Sequence, residues 1–310
     1  MTAHQGRVIH ESSKSSSNFF FLRDKIEKEI ARSILCLGEK NKLRDACEYA
    51  LTTGGKRLRP IVVYLVAEAL GHGLDVSDSA LSVELFHTAS LIVDDLPCMD
   101  NDDERRSKPS LHKVFGEPVA LLASYALITA AFEGIQKNTL KMRRTGMPFS
   151  VSADRACTLG LESAARCAGI LGATGGQFLD LYPPQMSLET LKKIIHQKTV
   201  TLFEVSFSLG WIFGGGDLNR LDEVAKAAHH MGMAFQIADD IGDAHQDEKK
   251  PSPVNLAHFL GRDRALSLFE EEMRLLREQL ECLHLLTPSF EKMCAIINEN
   301  VAVYQLVASS

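Results

Sequence analysis

The sequence lacks any CxxC pair, although its 310 residues include seven cysteines. An odd number of widely spaced cysteines fits neither a disulfide framework nor a cysteine zinc site. We therefore expect reduced thiols, no zinc and a cytoplasmic location. The cysteines lie at positions 36, 47, 98, 157, 167, 282 and 294.

Excess positive charge and a long apolar run are also missing. The formal net charge is −6 and the pI is near 6.0, which argues against nucleic acid or an anionic membrane as a partner. The longest uncharged apolar stretch, 118–132, is shorter than the roughly 20 residues that cross a bilayer, so no transmembrane segment is expected. The N-terminus has no basic segment before an apolar run, and the serine-rich residues 1–18 are expected to form a disordered arm.

No long alternating pattern of the kind that predicts β-strands is present. Apolar residues recur instead at helical spacing, as at Ile61, Leu65 and Ala69, and the ten prolines fall where helices begin or end. The sequence therefore predicts an all-α protein, a large helical bundle that forms a single domain over 19–310. The predicted helices are 19–37, 41–52, 59–70, 78–96, 118–140, 151–171, 188–213 with a kink, 218–245, 261–283 and 288–305.

Six acidic residues precede two arginines over 94–106, at the end of an apolar helix. Pro97 disfavours helical geometry at Leu96 and ends the helix there, so the chain can fold Asp100 back beside Asp94. Clustered carboxylates repel one another unless cations are present, and oxygen ligands that share a site with phosphate indicate Mg²⁺. A solvated acidic loop is the alternative interpretation of this cluster taken alone.

A second acidic cluster covers residues 239–243, within an apolar helix. Asp239 and Asp243 share a helix face at a spacing of four residues. Two like charges on a mostly apolar helix are unfavourable unless a bundle cavity holds metal between this helix and the first acidic helix. The two clusters together therefore predict several Mg²⁺ ions around one diphosphate.

Three segments resemble the motifs of the trans-prenyl diphosphate synthases. They are Gly54 to Pro60, His87 to Pro97 with Arg105 and Arg106, and Phe235 to Asp240. The resemblance covers roughly residues 20 to 300, and the motifs occur in the order and spacing of that family. It implies the isoprenoid synthase fold, a helical bundle around a central active-site cavity, and a homodimer.

The resemblance also implies roles for individual residues. Asp94, Asp100 and Asp239 would be the principal Mg²⁺ ligands, with support from Asp95, Asp240 and Asp243. Isopentenyl diphosphate would bind to Lys56, Arg59, His87 and Arg106, and the allylic diphosphate (dimethylallyl, geranyl or farnesyl) to Arg105, Lys198 and either Lys249 or Lys250. Arginine forks match phosphate oxygens, which fits these assignments.

Lys198 and Thr199 resemble a lysine-threonine pair that faces the allylic carbon in the family. The Thr199 carbonyl oxygen and the Gln236 side-chain oxygen would stabilise positive charge on the hydrocarbon. Metal-assisted loss of diphosphate would give an allylic cation, which the isopentenyl double bond attacks before a proton leaves. Structural roles remain open for some residues, because His87 can be a core histidine and the glycines of 175–180 can serve close helix packing.

The segment after the second acidic cluster, 245–256, departs from the family pattern. That departure keeps open a non-catalytic partner that modulates another synthase. A terpene cyclase shares the metal-assisted ionisation but has no second substrate, so Lys56, Arg59 and His87 favour the condensing enzyme.

Product length should depend on the side chains that precede Asp94 on its helix. Synthases of the resembling bacterial type that stop at fifteen carbons usually carry an aromatic residue five positions before the first aspartate, where this chain has Ala89. Phe86 lies three residues earlier on nearly the same face, about 4.5 Å further along the helix. We therefore expect a twenty-carbon product, geranylgeranyl diphosphate, with farnesyl diphosphate as the alternative and with Phe86 as either channel floor or ordinary core.

Overall fold

A computed structural model describes residues 3–145, 152–243 and 255–307 of the chain. These residues group into two compact units. The first-motif unit comprises the described parts of 21–165 and 208–218, and the second-motif unit those of 1–20, 166–207 and 219–310. The single domain predicted over 19–310 stays a prediction.

The described residues are almost entirely helical, which confirms the predicted all-α class. The α-helices are α1 (Ala3–Cys36), α2 (Lys42–Thr52), α3 (Leu58–Leu70), α4 (Ser77–Asp94), α5 (Leu111–Phe115), α6 (Glu117–Arg144), α7 (Ala153–Ala168), α8 (Ala173–Leu181), α9 (Leu188–Ile195), α10 (Thr201–Phe213), α11 (Leu221–Asp243), α12 (Leu256–Leu260), α13 (Arg262–Cys282) and α14 (Pro288–Val307). A π segment, His196–Val200, joins α9 to α10, and a 3₁₀ turn, Leu218–Arg220, precedes α11. The antiparallel strands β1 (Glu104–Arg105) and β2 (Lys108–Pro109) form a short hairpin.

Within the first-motif unit, α4 packs against α3 and α6 and is buried on several faces. Gly134 allows α6 to approach closely, because a Cβ atom there would lie 2.3 Å from the Ser82 hydroxyl oxygen. Phe86 of α4 and Phe132 of α6 meet edge to face, with ring centroids 5.0 Å apart. Such a ring pair adds about 0.5–1.5 kcal/mol beyond its buried area. The helix that ends at Asp94 is therefore held firmly from both sides.

Within the second-motif unit, α11 packs against α13, α14 and the π segment. Gly232 permits the last of these contacts, since a Cβ atom there would lie 2.8 Å from the Val200 backbone. The π segment interrupts the helix predicted over 188–213, and the predicted kink stays a prediction. π segments are rare and occur mostly as single turns inside α-helices, frequently at functional sites.

Helix boundaries differ from the sequence prediction in a few places. Helix α1 begins at Ala3, so the backbone from residue 3 is helical where a disordered arm was predicted over 1–18. No proline lies in that stretch to stop the helix. Helices α5 and α12 and the hairpin were not predicted, because five residues or fewer show no clear periodicity. Helix α8 was not predicted either, and its nine residues include the helix-disfavouring Gly175 and Gly176.

Helix α6 is, within the described ranges, the one helix that is long and apolar enough to cross a membrane. Core helices of soluble proteins satisfy the same criterion, and α6 packs against α2, α4 and α5. In the most apolar 18-residue window of α6, 39% of the window is buried within the structure. The absence of a transmembrane segment therefore stays a prediction.

Candidate active site

The first acidic cluster forms a tight turn at the end of α4. Helix α4 ends at Asp94, two residues before the end that was predicted at Leu96. The Asp100 backbone N–H then donates to the Asp94 carbonyl oxygen at 2.9 Å, which confirms that the chain folds back on itself. The side chain of Asp94 is half-buried and that of Asp100 exposed. Two carboxylates therefore leave the backbone at one end of the helix.

Asp95 differs from these two because it is buried and bonded to an arginine. Only 3% of Asp95 is exposed, and its carboxylate accepts a hydrogen bond from Arg105 Nε at 2.9 Å and a second from Arg105 Nη2. Burial raises the pKa of Asp95, and the Arg105 hydrogen bond opposes that rise. Arg105 also reaches Asp102 at 3.2 Å. In this structure Asp95 orients Arg105, and its role beside a metal stays a prediction.

The hairpin turn between β1 and β2 places Arg106 in the left-handed region. Arg106 and Ser107 have φ of +57° and +60°, values that hairpin turns usually assign to Asn and Gly. The Arg106 guanidinium donates to the Gly54 carbonyl oxygen. A Cβ atom on Gly55 would lie 2.6 Å from that guanidinium, so only glycine permits this contact. The structure thereby joins the Gly54 to Pro60 motif to the arginine pair.

Arg59 and His87 are brought together, as their shared substrate assignment requires. Arg59 Nη1 lies 3.3 Å from His87 Nε2. Burial, followed by the charge of Arg59, lowers the pKa of His87 well below its ordinary value, so the imidazole is neutral at pH 7. The buried Nδ1 of His87 has no hydrogen-bond partner within the described ranges. Lys56, in the loop before α3, is exposed.

Arg57 is a residue of this motif that sequence reasoning missed. It adopts φ of +53°, and its side chain is fully buried. The guanidinium donates to both Glu84 and Glu27, and to the Leu51 carbonyl oxygen at 2.6 Å. Burial alone would lower the pKa of Arg57, but the two carboxylates raise it overall. This buried ion pair fixes the loop that carries Lys56 and the start of α3, where Arg59 lies.

A cleft in the first-motif unit collects several of these groups. It is lined by Thr88 and Ile92 of α4, by Asp95, and by Arg105 and Arg106 of the hairpin. The cleft thereby groups the two arginines with Asp95 beside the end of α4, and arginine forks match phosphate oxygens.

The two residues assigned to product length are both buried on α4. Ala89 is fully buried, and its carbonyl oxygen accepts a hydrogen bond from Ser124 at 3.1 Å. Phe86 is 4% exposed and stacks edge to face on Phe132. These contacts are compatible with a channel floor and with ordinary core.

In the second-motif unit, Lys198 is held by a carboxylate that lies in the Gly175 to Asp180 segment. Its ammonium lies 2.5 Å from Asp180 Oδ2. Helix α8 comes this close because Gly176 has no Cβ atom, which would lie 2.5 Å from the Lys198 backbone nitrogen. The predicted packing role of these glycines is therefore confirmed at Gly176.

Thr199, Gln236 and Asp240 form a chain of hydrogen bonds. The Thr199 hydroxyl donates to the Gln236 side-chain oxygen at 2.7 Å, and the Gln236 amide donates to Asp240 Oδ1 at 2.8 Å. The other oxygen of the buried Asp240 accepts from the Leu256 backbone N–H at 2.8 Å. Asp240 thus ties α11 to the start of α12 and orients Gln236.

The remaining predicted ligands lie at the end of α11. Asp239 is half-buried, and the helix continues through Gly242 to Asp243, whose side chain is not described. Lys249 and Lys250 lie outside the described residues. Asp239 and Asp243 stay at the spacing of four residues that the sequence predicted.

The donor chemistry of both acidic clusters fits Mg²⁺. Each offers carboxylate oxygens, the hard ligands that Mg²⁺ prefers when it also binds phosphate. Asp94 and Asp100 can hold such an ion from one side of a turn, and Asp239 from a helix surface. The arginines of the hairpin near Asp95 are of the type that binds phosphate oxygens.

Residues 40–252 match the family model described as polyprenyl synthetase. A relative from Arabidopsis thaliana, the heterodimeric geranylgeranyl pyrophosphate synthase large subunit 1, chloroplastic, is 36% identical over 290 residues, which cover 88% of this chain and 76% of that protein. The farnesyl diphosphate synthase of Geobacillus stearothermophilus is 39% identical over 231 residues, covering 73% of this chain and 74% of that protein.

The fold also matches solved structures. A crystal structure of an FPP/GFPP synthase from Zymomonas mobilis superposes with a TM-score of 0.77 at 28% identity, covering 92% of this chain and all of that one. The matched family region includes both acidic clusters and the basic motif between Gly54 and Pro60. The chain therefore belongs to the polyprenyl synthetase family, and it is a prenyltransferase with the all-α fold of the trans-isoprenyl diphosphate synthases.

Proposed function

We propose that the chain condenses isopentenyl diphosphate with allylic diphosphates to give geranylgeranyl diphosphate, with Mg²⁺ as cofactor. The observation that carries this proposal is the turn in which the Asp100 N–H bonds the Asp94 carbonyl, beside the arginines of the hairpin. That turn presents paired carboxylates and guanidinium groups, which are the ligands of a metal-bound diphosphate. The names of the relatives support the same reaction class.

In this proposal the two substrates have separate diphosphate sites. Asp94, Asp100 and Asp239 hold Mg²⁺ on the allylic diphosphate, with Asp95, Asp240 and Asp243 in support. Bound Mg²⁺ would neutralise the leaving diphosphate and so assist its departure. Isopentenyl diphosphate binds through cations without metal. Its proposed ligands are Lys56, Arg59, His87 and Arg106.

The proposed reaction breaks the allylic C–O bond and leaves a carbocation with free diphosphate. The isopentenyl double bond attacks this cation, a new C–C bond forms, and a proton then leaves to the diphosphate. Lys198 holds the diphosphate, while the Thr199 carbonyl and the Gln236 oxygen face the cation. Their position in and beside the π segment supports this assignment, because such segments disturb regular carbonyl pairing.

We expect Lys56→Ala and Arg59→Ala to raise the KM for isopentenyl diphosphate by roughly 10- to 100-fold, the value of one or two charged hydrogen bonds. The KM for the allylic substrate should change much less, because that site relies on metal. Initial rates with each substrate varied in turn measure both constants. Lys42→Ala, which removes an exposed lysine at the start of α2, is the control. Equal increases in both KM values would contradict two distinct sites.

Product length provides a second test of the proposal. Ala89→Tyr should shorten the product to fifteen carbons, and Phe86→Ala should extend it beyond twenty. Phe86→Leu accompanies the second variant, because Phe→Ala in a core costs about 3–5 kcal/mol and can unfold the protein. Chromatography of the dephosphorylated products measures the distribution.

The control for product length is Leu85→Ala. Leu85 is 2% exposed on α4 but lies about 100° around the helix from Phe86. It should leave product length unchanged. If neither Ala89→Tyr nor the Phe86 variants alter the distribution, the channel model is wrong and Phe86 is ordinary core.

Farnesyl diphosphate synthase is the second candidate, since the Geobacillus relative carries that name. We also propose a cytoplasmic homodimer, whereas the Arabidopsis relative is described as chloroplastic and heterodimeric. Purified chain with labelled isopentenyl diphosphate and each allylic primer separates these cases. Product from the chain alone supports an independent enzyme, and product only after addition of a second synthase subunit supports a modulatory partner.

A further inference from the structure

Three side chains form a cluster on α11 and α13, away from the acidic residues of the second cluster. They are His229 and His230 of α11 and Glu272 of α13, and one ligand atom from each lies within 4.8 Å of the others. His230 Nδ1 is 2.7 Å from Glu272 Oε2. Glu272 is 8% exposed, and the histidines are half-buried. Burial on two packed helices restricts the rotamers of all three.

A fourth potential ligand comes from the π segment. His196 Nδ1 lies 3.4 Å from His229 Nδ1, and the two rings are 5.5 Å apart. Glu204 of α10 in turn lies 3.9 Å from His196 Nε2. A third imidazole therefore lies beside His229, and it belongs with the cluster to the second-motif unit.

The donor types discriminate between metals. Imidazole nitrogen with one carboxylate suits Zn²⁺ and similar transition metals, whereas Mg²⁺ prefers oxygen ligands alone. A tetrahedral Zn²⁺ with ligands at about 2.1 Å sets neighbouring ligand atoms roughly 3.4 Å apart. Separations of up to 4.8 Å must therefore close by up to about 1.4 Å, and His230 Nδ1 and Glu272 Oε2 must move apart by about 0.7 Å, through small side-chain adjustments on fixed helices. Glu272 provides the negative charge that offsets part of the ion's charge.

We propose that His229, His230 and Glu272, with His196 as a fourth ligand, bind one Zn²⁺-class ion. The ion joins α11 to α13 and to the π segment that carries Lys198 and Thr199. The site is separate from the diphosphate site, because His229 precedes Asp239 by ten residues, or about 15 Å along the helix. This proposal departs from the sequence expectation of no zinc, which rested on cysteine spacing and did not consider histidines and a glutamate from three helical segments.

The test is a calorimetric Zn²⁺ titration of chelator-treated, full-length protein in excess Mg²⁺, which keeps the carboxylate clusters occupied. A single Zn²⁺ per chain is expected to bind. His229→Ala, His230→Gln and Glu272→Gln should each weaken Zn²⁺ affinity by roughly tenfold or more, since even the partners of metal ligands contribute that much. Co²⁺ in place of Zn²⁺ should give the intense visible absorption of a tetrahedral site, and each variant should lose it.

Two controls separate this site from others. His72→Ala removes an exposed histidine of the first-motif unit, and Asp94→Asn removes a proposed Mg²⁺ ligand. Both should keep full Zn²⁺ affinity and the Co²⁺ spectrum. Circular dichroism identifies any variant that does not fold, and such a variant is excluded from the comparison of Zn²⁺ affinities. Absence of Zn²⁺ binding by the unmodified chain, or equal affinity in all folded variants, would mean that the cluster is only a hydrogen-bonded helix contact.

Discussion

Replacing Asp94 or Asp239 with asparagine is expected to lower turnover by roughly 10²- to 10⁴-fold, which corresponds to the loss of a few kcal/mol of charge stabilisation. Asparagine keeps the shape of aspartate but loses the charge that holds Mg²⁺. The backbone N–H of Asp100 bonds the carbonyl oxygen of Asp94 and not its side chain, so the turn should survive the change. The loss should appear mainly in kcat.

The measurement is a steady-state assay with both substrates over a range of Mg²⁺ concentrations, together with thermal unfolding. Asp103→Asn is the matched control, since it removes the same charge from the same loop. Asp103 is exposed and pairs with Lys113 at 2.6 Å, an ion pair of little energetic value. The activity of Asp103→Asn should stay within about twofold of that of the unmodified chain. Near-normal Mg²⁺-dependent activity in both Asp94→Asn and Asp239→Asn would refute the metal assignment.

Much of the fold follows from patterns that are local in sequence. Proline positions and apolar spacing predicted most of the long helices to within a few residues, with α1 as the exception because it begins at Ala3 and not at residue 19. Pro97 predicted the end of α4 to within two residues and the return of Asp100. Such features depend on backbone sterics over three or four residues, so no tertiary information is needed. The assignment of Arg59 and His87 to the same substrate came instead from the order of motifs in a family.

Other parts of the site depend on contacts between distant residues. The pairing of Asp95 with Arg105 requires the β1–β2 hairpin, whose turn residues Arg106 and Ser107 carry no Asn-Gly signal. The bond between Thr199 and Gln236 requires the π segment to face α11. Sequence patterns did not indicate that Asp95 and Asp240, the second aspartates of the two acidic clusters, would be buried and hydrogen-bonded to protein groups.

Arg57 is the clearest example of a residue whose role depends on contacts between distant parts of the chain. Its replacement gives the largest expected effect on stability. Arg57→Met removes the guanidinium that bonds Glu84, whose carboxylate is 1% exposed. A buried carboxylate that loses its partner destabilises a protein by about 3–5 kcal/mol. Methionine keeps most of the volume, so the loss reports charge and hydrogen bonding more than packing. The free energy of unfolding from urea denaturation measures it.

Two further variants isolate the ion pair. Arg274→Met is the control, because Arg274 pairs with Glu271 and Glu278 but its side chain is 53% exposed, and such pairs contribute less than about 1 kcal/mol. The double variant Arg57→Met with Glu84→Gln should be more stable than Arg57→Met alone, since it removes the uncompensated charge. A double variant no more stable than Arg57→Met would assign the effect to packing.

The pH dependence distinguishes these explanations further. Burial raises the pKa of Glu84 above its ordinary value of 4.5, and the attraction of Arg57 is the largest influence that opposes the rise. Protonation of Glu84 therefore favours the folded state, and stability falls as pH rises through the raised pKa. Without Arg57 the pKa of Glu84 rises further, so the loss of stability between low and neutral pH becomes larger. The stability deficit of Arg57→Met should be smallest below pH 4.5 and should grow toward neutral pH. The deficit of the double variant, which has no carboxyl at position 84 to titrate, should not grow over that range. A deficit of Arg57→Met that is equal at all pH values would show that the charge of Glu84 does not limit the stability of this loop.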